Sequence, residues 1–240
     1  MGQPLASGKT RGCIRRAVLR IARVVAQVGV ALTVLATGFA AYRAWQAWSE
    51  FPANAAIPSD AAPKRVGVIA GHLENDSGAV CPDGLQEVDI NAEIAQRVVD
   101  MLQLVGHEAE VLPEYADKLA NYRADALVSI HSDSCLRDRS GFKVARVVNS
   151  AIPQQEDRLV ACLYQEYEHA TGLARDEATI TVDMERYHAF SKIAADTPGA
   201  IIEIGYMGGD RKLLTEHPAR VARGIVAGII CFLESAPPLP

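Results

Sequence analysis

Short apolar runs that stop at small polar residues set the rhythm of this chain. Ala126-Leu127-Val128-Ser129-Ile130 has the length of a buried strand and ends at His131, with Ser132, Asp133 and Ser134 after it. Val66-Gly67-Val68-Ile69-Ala70 ends the same way, at Gly71-His72. Glu110 to Leu112 predicts a further strand, and Gly141 to Val148 alternates in part, as a strand near an edge does. Ala200 to Gly205 predicts a central strand interrupted by one carboxylate, Glu203. Between the strands the period lengthens. Ile90, Ile94, Val98, Met101, Leu102 and Val105 recur at helical spacing up to Gly106, with Asp83 and Gln86 placed to form a capping box at the start. A short helix is expected over Lys118 to Arg123, and a longer one from about Gln155 to Thr171 on Leu159, Leu163 and Tyr167. The last helix opens at Pro218 and gathers Val221, Ala222, Ile225, Ile229 and Phe232 on one side. Strand and helix alternate, which implies an α/β domain with parallel neighbours.

A different pattern precedes that domain. Val24 to Tyr42 is free of charged residues and nearly matches the thickness of a bilayer as a helix. Lys9, Arg11, Arg15, Arg16, Arg20 and Arg23 come before it, and Tyr42, Trp45 and Trp48 lie where aromatic rings favour the interface. Residues 1–23 therefore read as a basic cytoplasmic segment, 24–44 as a transmembrane signal anchor and 45–64 as an Ala/Pro-rich linker. The folded domain is expected over 65–236, outside the cytoplasm and held to the cell membrane by a single pass. A cleaved signal peptide is the competing reading, since Gly38-Phe39-Ala40 offers small residues at a suitable spacing. The formal net charge of -5 hides an asymmetry. Every charge before Glu50 is positive, so the remainder is acidic and a nucleic-acid partner is not expected. Nothing in the sequence speaks to oligomeric state.

The candidate chemistry sits at the strand ends, where open α/β sheets bind ligands. Glu87 lies three residues before Ile90 and so falls on the buried stripe of its helix, where a carboxylate needs a compensating cation. Curling out to solvent as an N-terminal charge is the alternative. Two strand-end His and such a Glu form a common zinc arrangement, with Glu203 available as the base. Elsewhere, His188 beside Tyr187 reads as structural, and His107 and His169 as solvent-facing. Asp133 suits either a partner of a ligand His or a loop cap.

Gly71-His72, Glu87, Ser129-Ile130-His131 and Ile202-Glu203-Ile204-Gly205-Tyr206 resemble, in order and approximate spacing, the zinc-dependent N-acetylmuramoyl-L-alanine amidases that cut bacterial cell wall. The resemblance spans about Arg65 to Leu233. It implies a mixed, largely parallel central sheet between helices, zinc held by His72, Glu87 and His131, and Glu203 as the catalytic residue. The implied substrate is peptidoglycan, cut at the amide between the lactyl group of N-acetylmuramic acid and L-Ala of the stem peptide. The chain departs from the family in Ile69-Ala70 before the first His, Leu73-Glu74 after it, and Ser132-Asp133 after the second. Those differences fall on substrate contacts. Two other readings stand beside the amidase: a peptidoglycan-binding or regulatory module without turnover, and a zinc peptidase acting on a different amide.

Five Cys in an exported chain invite a bridge, and Cys13 is set aside on the cytoplasmic side. Cys81 and Cys135 lie in the loops after His72 and His131. If both His bind one ion, the two loops leave one rim within bridging reach, and a disulfide is expected, with free thiols or thiolate ligation of the zinc as alternatives. Cys162 and Cys231 fall in helices, where Cys231 shares a small-residue face and suits a packed hydrophobe.

Overall fold

Five strands form one sheet in the order β2-β1-β3-β5-β4. They are β1 (Arg65–Ala70), β2 (Glu108–Pro113), β3 (Ala126–Asp133), β4 (Lys143–Ala145) and β5 (Gly199–Tyr206). The first four in that spatial order run parallel, and β4 closes one edge antiparallel to β5. The structure, a computed structural model, describes residues 62–235. The basic segment, the transmembrane span and most of the linker lie outside them. Among the described residues no helix is long and apolar enough to cross a membrane.

Helices α1 (Glu87–Leu104), α2 (Pro153–Thr171) and α5 (Pro218–Glu234) cover one side, with α5 packed between the other two. In-register Val68, Val128 and Ala200, all fully buried, line one face of the sheet. The alternate positions Ile69, Leu127 and Ile201 form a cluster with Leu119, Tyr122, Met184 and Phe190. Segments rather than long helices supply this second layer: a 3-10 turn at Asp117–Leu119, helix α3 (Val182–Glu185) and a 3-10 turn at His188–Ser191. A short helix α4 (Arg211–Glu216) follows β5.

The local expectations hold with four corrections. Helix α1 starts at Glu87 with no side-chain cap, because Asp83 pairs with Arg211 instead of closing a capping box. The helix expected over Lys118 to Arg123 is the shorter turn at Asp117–Leu119, and Tyr122 beyond it is buried in the second cluster. β4 is shorter than the alternation suggests, since Phe142 bonds to Ala174 and Asp176, and the Val148 N–H reaches Glu185. Finally, Cys162 and Cys231 are not separate hydrophobes. They form a disulfide, Cα to Cα 5.7 Å, between α2 and α5. Gly224 and Gly228 are the reason: a Cβ at Gly228 would stand 2.8 Å from the Leu163 backbone and one at Gly224 3.0 Å from Tyr167, so the bare helix surface lets the two axes approach.

This bridge closes a chain separation of 69 residues. By loop-closure entropy it contributes about 4 kcal/mol. A Cys162→Ala/Cys231→Ala double variant should lose up to that amount in chemical denaturation, and an unchanged midpoint would show that the packing of α2 on α5 carries the stability alone.

Candidate metal and catalytic site

At the carboxyl edge of the sheet, β1 and β3 end side by side and deliver His72 and His131 with ring centroids 5.1 Å apart at a steep angle. Glu87 reaches between them from the first turn of α1. Its Oε1 stands 3.3 Å from His72 Nε2 and 3.2 Å from His131 Nδ1. Zinc with bonds of about 2.0–2.1 Å in a tetrahedron spaces its ligand atoms roughly 3.3 Å apart, and these separations match. All three ligand atoms lie within 4.8 Å of one another, so the residues fit the metal that their chemistry suggests.

Glu87 is buried, and the alternative in which it curls out to solvent does not occur. Burial by itself would raise its pKa. His131 in its protonated form, the Ala79 N–H and the charge of protonated His72 outweigh burial and hold it down to about 2. Asn91 Nδ2 and Ser132 N also donate to Oε1, each at 3.2 Å, while Ala79 N donates to Oε2 at 3.0 Å. His131 shows the converse. Burial disfavours its charged form, yet Glu87, Glu203 and Glu114 together raise its pKa.

His72 sits in the left-handed region at φ 66°. For a residue with a Cβ that costs roughly 1–2 kcal/mol. Its Nδ1 meets Asp76 Oδ1 at 2.6 Å, which places the ring proton there and leaves the Nε2 lone pair toward Glu87. Gly71 beside it makes room for the other ring, because a Cβ there would overlap His131.

Glu203 lies directly beside His131 in the parallel register of β3 and β5, and across from Lys143 on β4. In-register neighbours point to the same face of a sheet. Its Oε2 is shielded from solvent and has no hydrogen-bond partner. Burial pushes this carboxyl up to about 7; His131 and Lys143 oppose the shift, and Glu87 and Asp133 add to it. A carboxyl near neutrality beside three converging ligand atoms has the properties of a general acid and base.

The remaining expected residues fall where their chemistry predicts, His107 excepted. Asp133 caps the loop through Ser134 N at 2.6 Å and holds the buried Lys143 at 2.5 Å. His188 stays off the ligand trio, bonded to Glu114 at 3.2 Å and stacked on Tyr115. His169 is exposed, and His107 is half-buried beside the Lys64 N–H. Cys81 and Cys135 form the expected disulfide, Cα to Cα 5.4 Å.

Sequence reasoning missed four supports: Asp76, Asn91, Glu114 and Tyr187. Asn91 was legible in principle, because a fully buried amide one turn after Glu87 occupies a core position of the same helix stripe. Asn91 Nδ2 also holds Gly71 O at 3.2 Å, and its Oδ1 accepts from Ser132 Oγ at 2.8 Å. Glu114 and Tyr187 meet across 73 residues and give no local signal.

A five-stranded α/β sheet flanked by helices, with these residues at its rim, is the architecture of a class of cell-wall hydrolases. The profile of the N-acetylmuramoyl-L-alanine amidase family matches residues 66–231. The chain belongs to this family, in which zinc dependence is general. Among solved structures it is similar to the amidase AmiC2 of Nostoc punctiforme, at 25% identity over 71% of this chain and 97% of that one, TM-score 0.56. The catalytic domain of the amidase CwlV from Bacillus (Paenibacillus) polymyxa var. colistinus gives 25% identity over 71% and 98%, TM-score 0.55. The CwlD amidase from Clostridioides difficile, solved in complex with the GerS lipoprotein, shares the fold at 20% identity over 71% and 98%, TM-score 0.56. No curated protein matches the chain.

Gly71→Ala should force the His131 ring aside at a cost of about 1–3 kcal/mol, typical of overpacking. Denaturant titration measures the loss, and a variant as stable as the parent would mean that the ring has room to move.

Proposed function

We propose that this chain is a zinc-dependent amidase that hydrolyses the bond between the lactyl group of N-acetylmuramic acid and L-Ala of the peptidoglycan stem peptide. His72, Glu87 and His131 would hold the metal, and Glu203 would handle the proton. The observation that carries this reading is the shielded, unpartnered Oε2 of Glu203, in register with His131. Zinc at the trio would supply Lewis-acid polarisation of the amide carbonyl and lower the pKa of water. Glu203, as carboxylate, takes a proton from the attacking water as the new C–O bond forms. It then returns that proton to the nitrogen as the C–N bond breaks, so the peptide leaves with a free L-Ala amine. Burial, which raises the Glu203 carboxyl above the usual carboxylate range, favours its taking up and returning that proton.

Purified protein given cell wall should release peptides that begin with a free L-Ala amino group and leave the sugar intact. Glu203→Gln should keep zinc and lose roughly 10²–10⁴ in kcat, and chelation should abolish turnover reversibly. Cleavage at another amide would make the protein a different zinc peptidase. Binding without turnover would make it a recognition module, and near-normal activity in Glu203→Gln would remove that residue from the role.

We propose further that residues 24–44 anchor the chain in the cell membrane with the catalytic domain outside. Two disulfides support an oxidising compartment for that domain, as does the basic segment before the apolar run. Protease added to intact spheroplasts should digest the domain; protection would reverse the orientation.

A further inference from the structure

We propose that Glu114 is a positioning residue that fixes both histidines of the site, His72 through its backbone and His131 through Tyr187; the zinc measurements that test it rest on the metal reading above. Glu114 follows the last residue of β2, which pairs with the last residue of β1 just before Gly71-His72. Its side chain is buried, with a relative exposure of 5%. Glu114 is not itself placed as a ligand. Its Oε2 stands 3.8 Å from His72 Nδ1, the nitrogen already bonded to Asp76, on the side of the ring away from Glu87.

Glu114 holds the loop on both sides of His72. Oε2 accepts the His72 N–H at 2.8 Å, and the Glu114 N–H donates to Leu73 O at 3.3 Å. These two bonds bracket the left-handed backbone at φ 66°, a conformation that persists only where its surroundings over-determine it. Glu114 therefore fixes the backbone from which His72, its ring held by Asp76, presents Nε2.

The other oxygen acts at a distance. Oε1 accepts the Tyr187 hydroxyl proton at 3.1 Å and faces His188 Nε2 at 3.2 Å. A phenol has one proton, so Tyr187 has none left for its other neighbours. Ser129 Oγ donates into the phenol oxygen at 3.1 Å, and the contact of 3.2 Å with His131 must run from Nε2–H to the same oxygen. His131 therefore keeps its proton on Nε2, and Nδ1 is the nitrogen left to face Glu87. Without the carboxylate, the Tyr187 proton is free to turn toward Nε2, which favours a proton on Nδ1, the ligand nitrogen. One buried carboxylate thus selects the nitrogen that one His presents to Glu87 and fixes the backbone of the other.

The test is zinc affinity of the full chain by chelator competition for wild type, Glu114→Gln, Tyr187→Phe and the double variant. Spectra of the cobalt-substituted proteins and the unfolding midpoints are recorded alongside. Gln offers one acceptor oxygen to the three donors that converge on Glu114, so Glu114→Gln should bind zinc 10- to 100-fold more weakly, as lost support of a ligand His does. Tyr187→Phe should lose less. The double variant should be weaker than Glu114→Gln by less than the factor that Tyr187→Phe shows alone, because the phenol acts through the carboxylate. The cobalt bands should shift while the midpoint stays near wild type. A folded Glu114→Gln within twofold of wild type overturns the proposal, and so does full multiplicativity of the two substitutions. If Glu114→Gln does not fold, Tyr187→Phe decides: zinc affinity within twofold of wild type overturns the relay. Wild-type protein that binds no zinc defeats the metal reading itself, an outcome distinct from equal binding by wild type and variant.

Discussion

A single buried negative charge, the Glu87 carboxylate, is the constraint around which this site is built. A charge of that kind is tolerated inside a protein only when donors or cations meet it on every side. Here α1 supplies Asn91, the loop after β1 supplies the Ala79 N–H and β3 supplies the Ser132 N–H, while the two His ring nitrogens face the same carboxylate from the side where a metal cation would complete the set. Each donor comes from an element that the sheet fixes relative to the others. The fold therefore has to form before Glu87 is satisfied, and once formed it holds three ligand atoms at metal spacing. Stability and function share the same hydrogen bonds here.

Support extends outward from that charge. Asn91 ties the loop residue Gly71 to α1 and β3, Asp76 orients His72, and Glu114 reaches both His from the next strand. The Cys81–Cys135 disulfide joins the loops that follow β1 and β3. Both loops carry their His on the strand side of the bridge. The two His therefore stand on strand ends braced from two directions rather than on free loops.

Most of this frame was legible in the sequence, because each of its parts is local. Apolar runs ending at His72 and His131 marked the strands, and the helical period of Ile90, Ile94 and Val98 placed Glu87 on an inward stripe. Glu203 announced itself as a charge in an otherwise apolar strand. What could not be read depends on distance in the chain. Asp83 looked like a helix cap because its partner, Arg211, comes 128 residues later. Cys162 and Cys231 looked like packing residues because only the approach of two helices across Gly224 and Gly228 brings the sulfurs together. Tyr187 and Glu114 carry no periodicity at all; their meaning appears only when the segment around residue 187 folds over the sheet.

The register of β5 against β3 has a consequence for how such a site can change. His131 and Glu203 are neighbours across a ladder of backbone hydrogen bonds, so their separation is quantised. Sliding one strand by a single residue would turn Glu203 to the opposite face, and sliding by two would carry it a full pleat along the sheet. No graded adjustment lies between these steps. Descendants of this chain are therefore free to vary the loops at the rim of the sheet, while the alignment of Glu203 with His131 is inherited whole or lost.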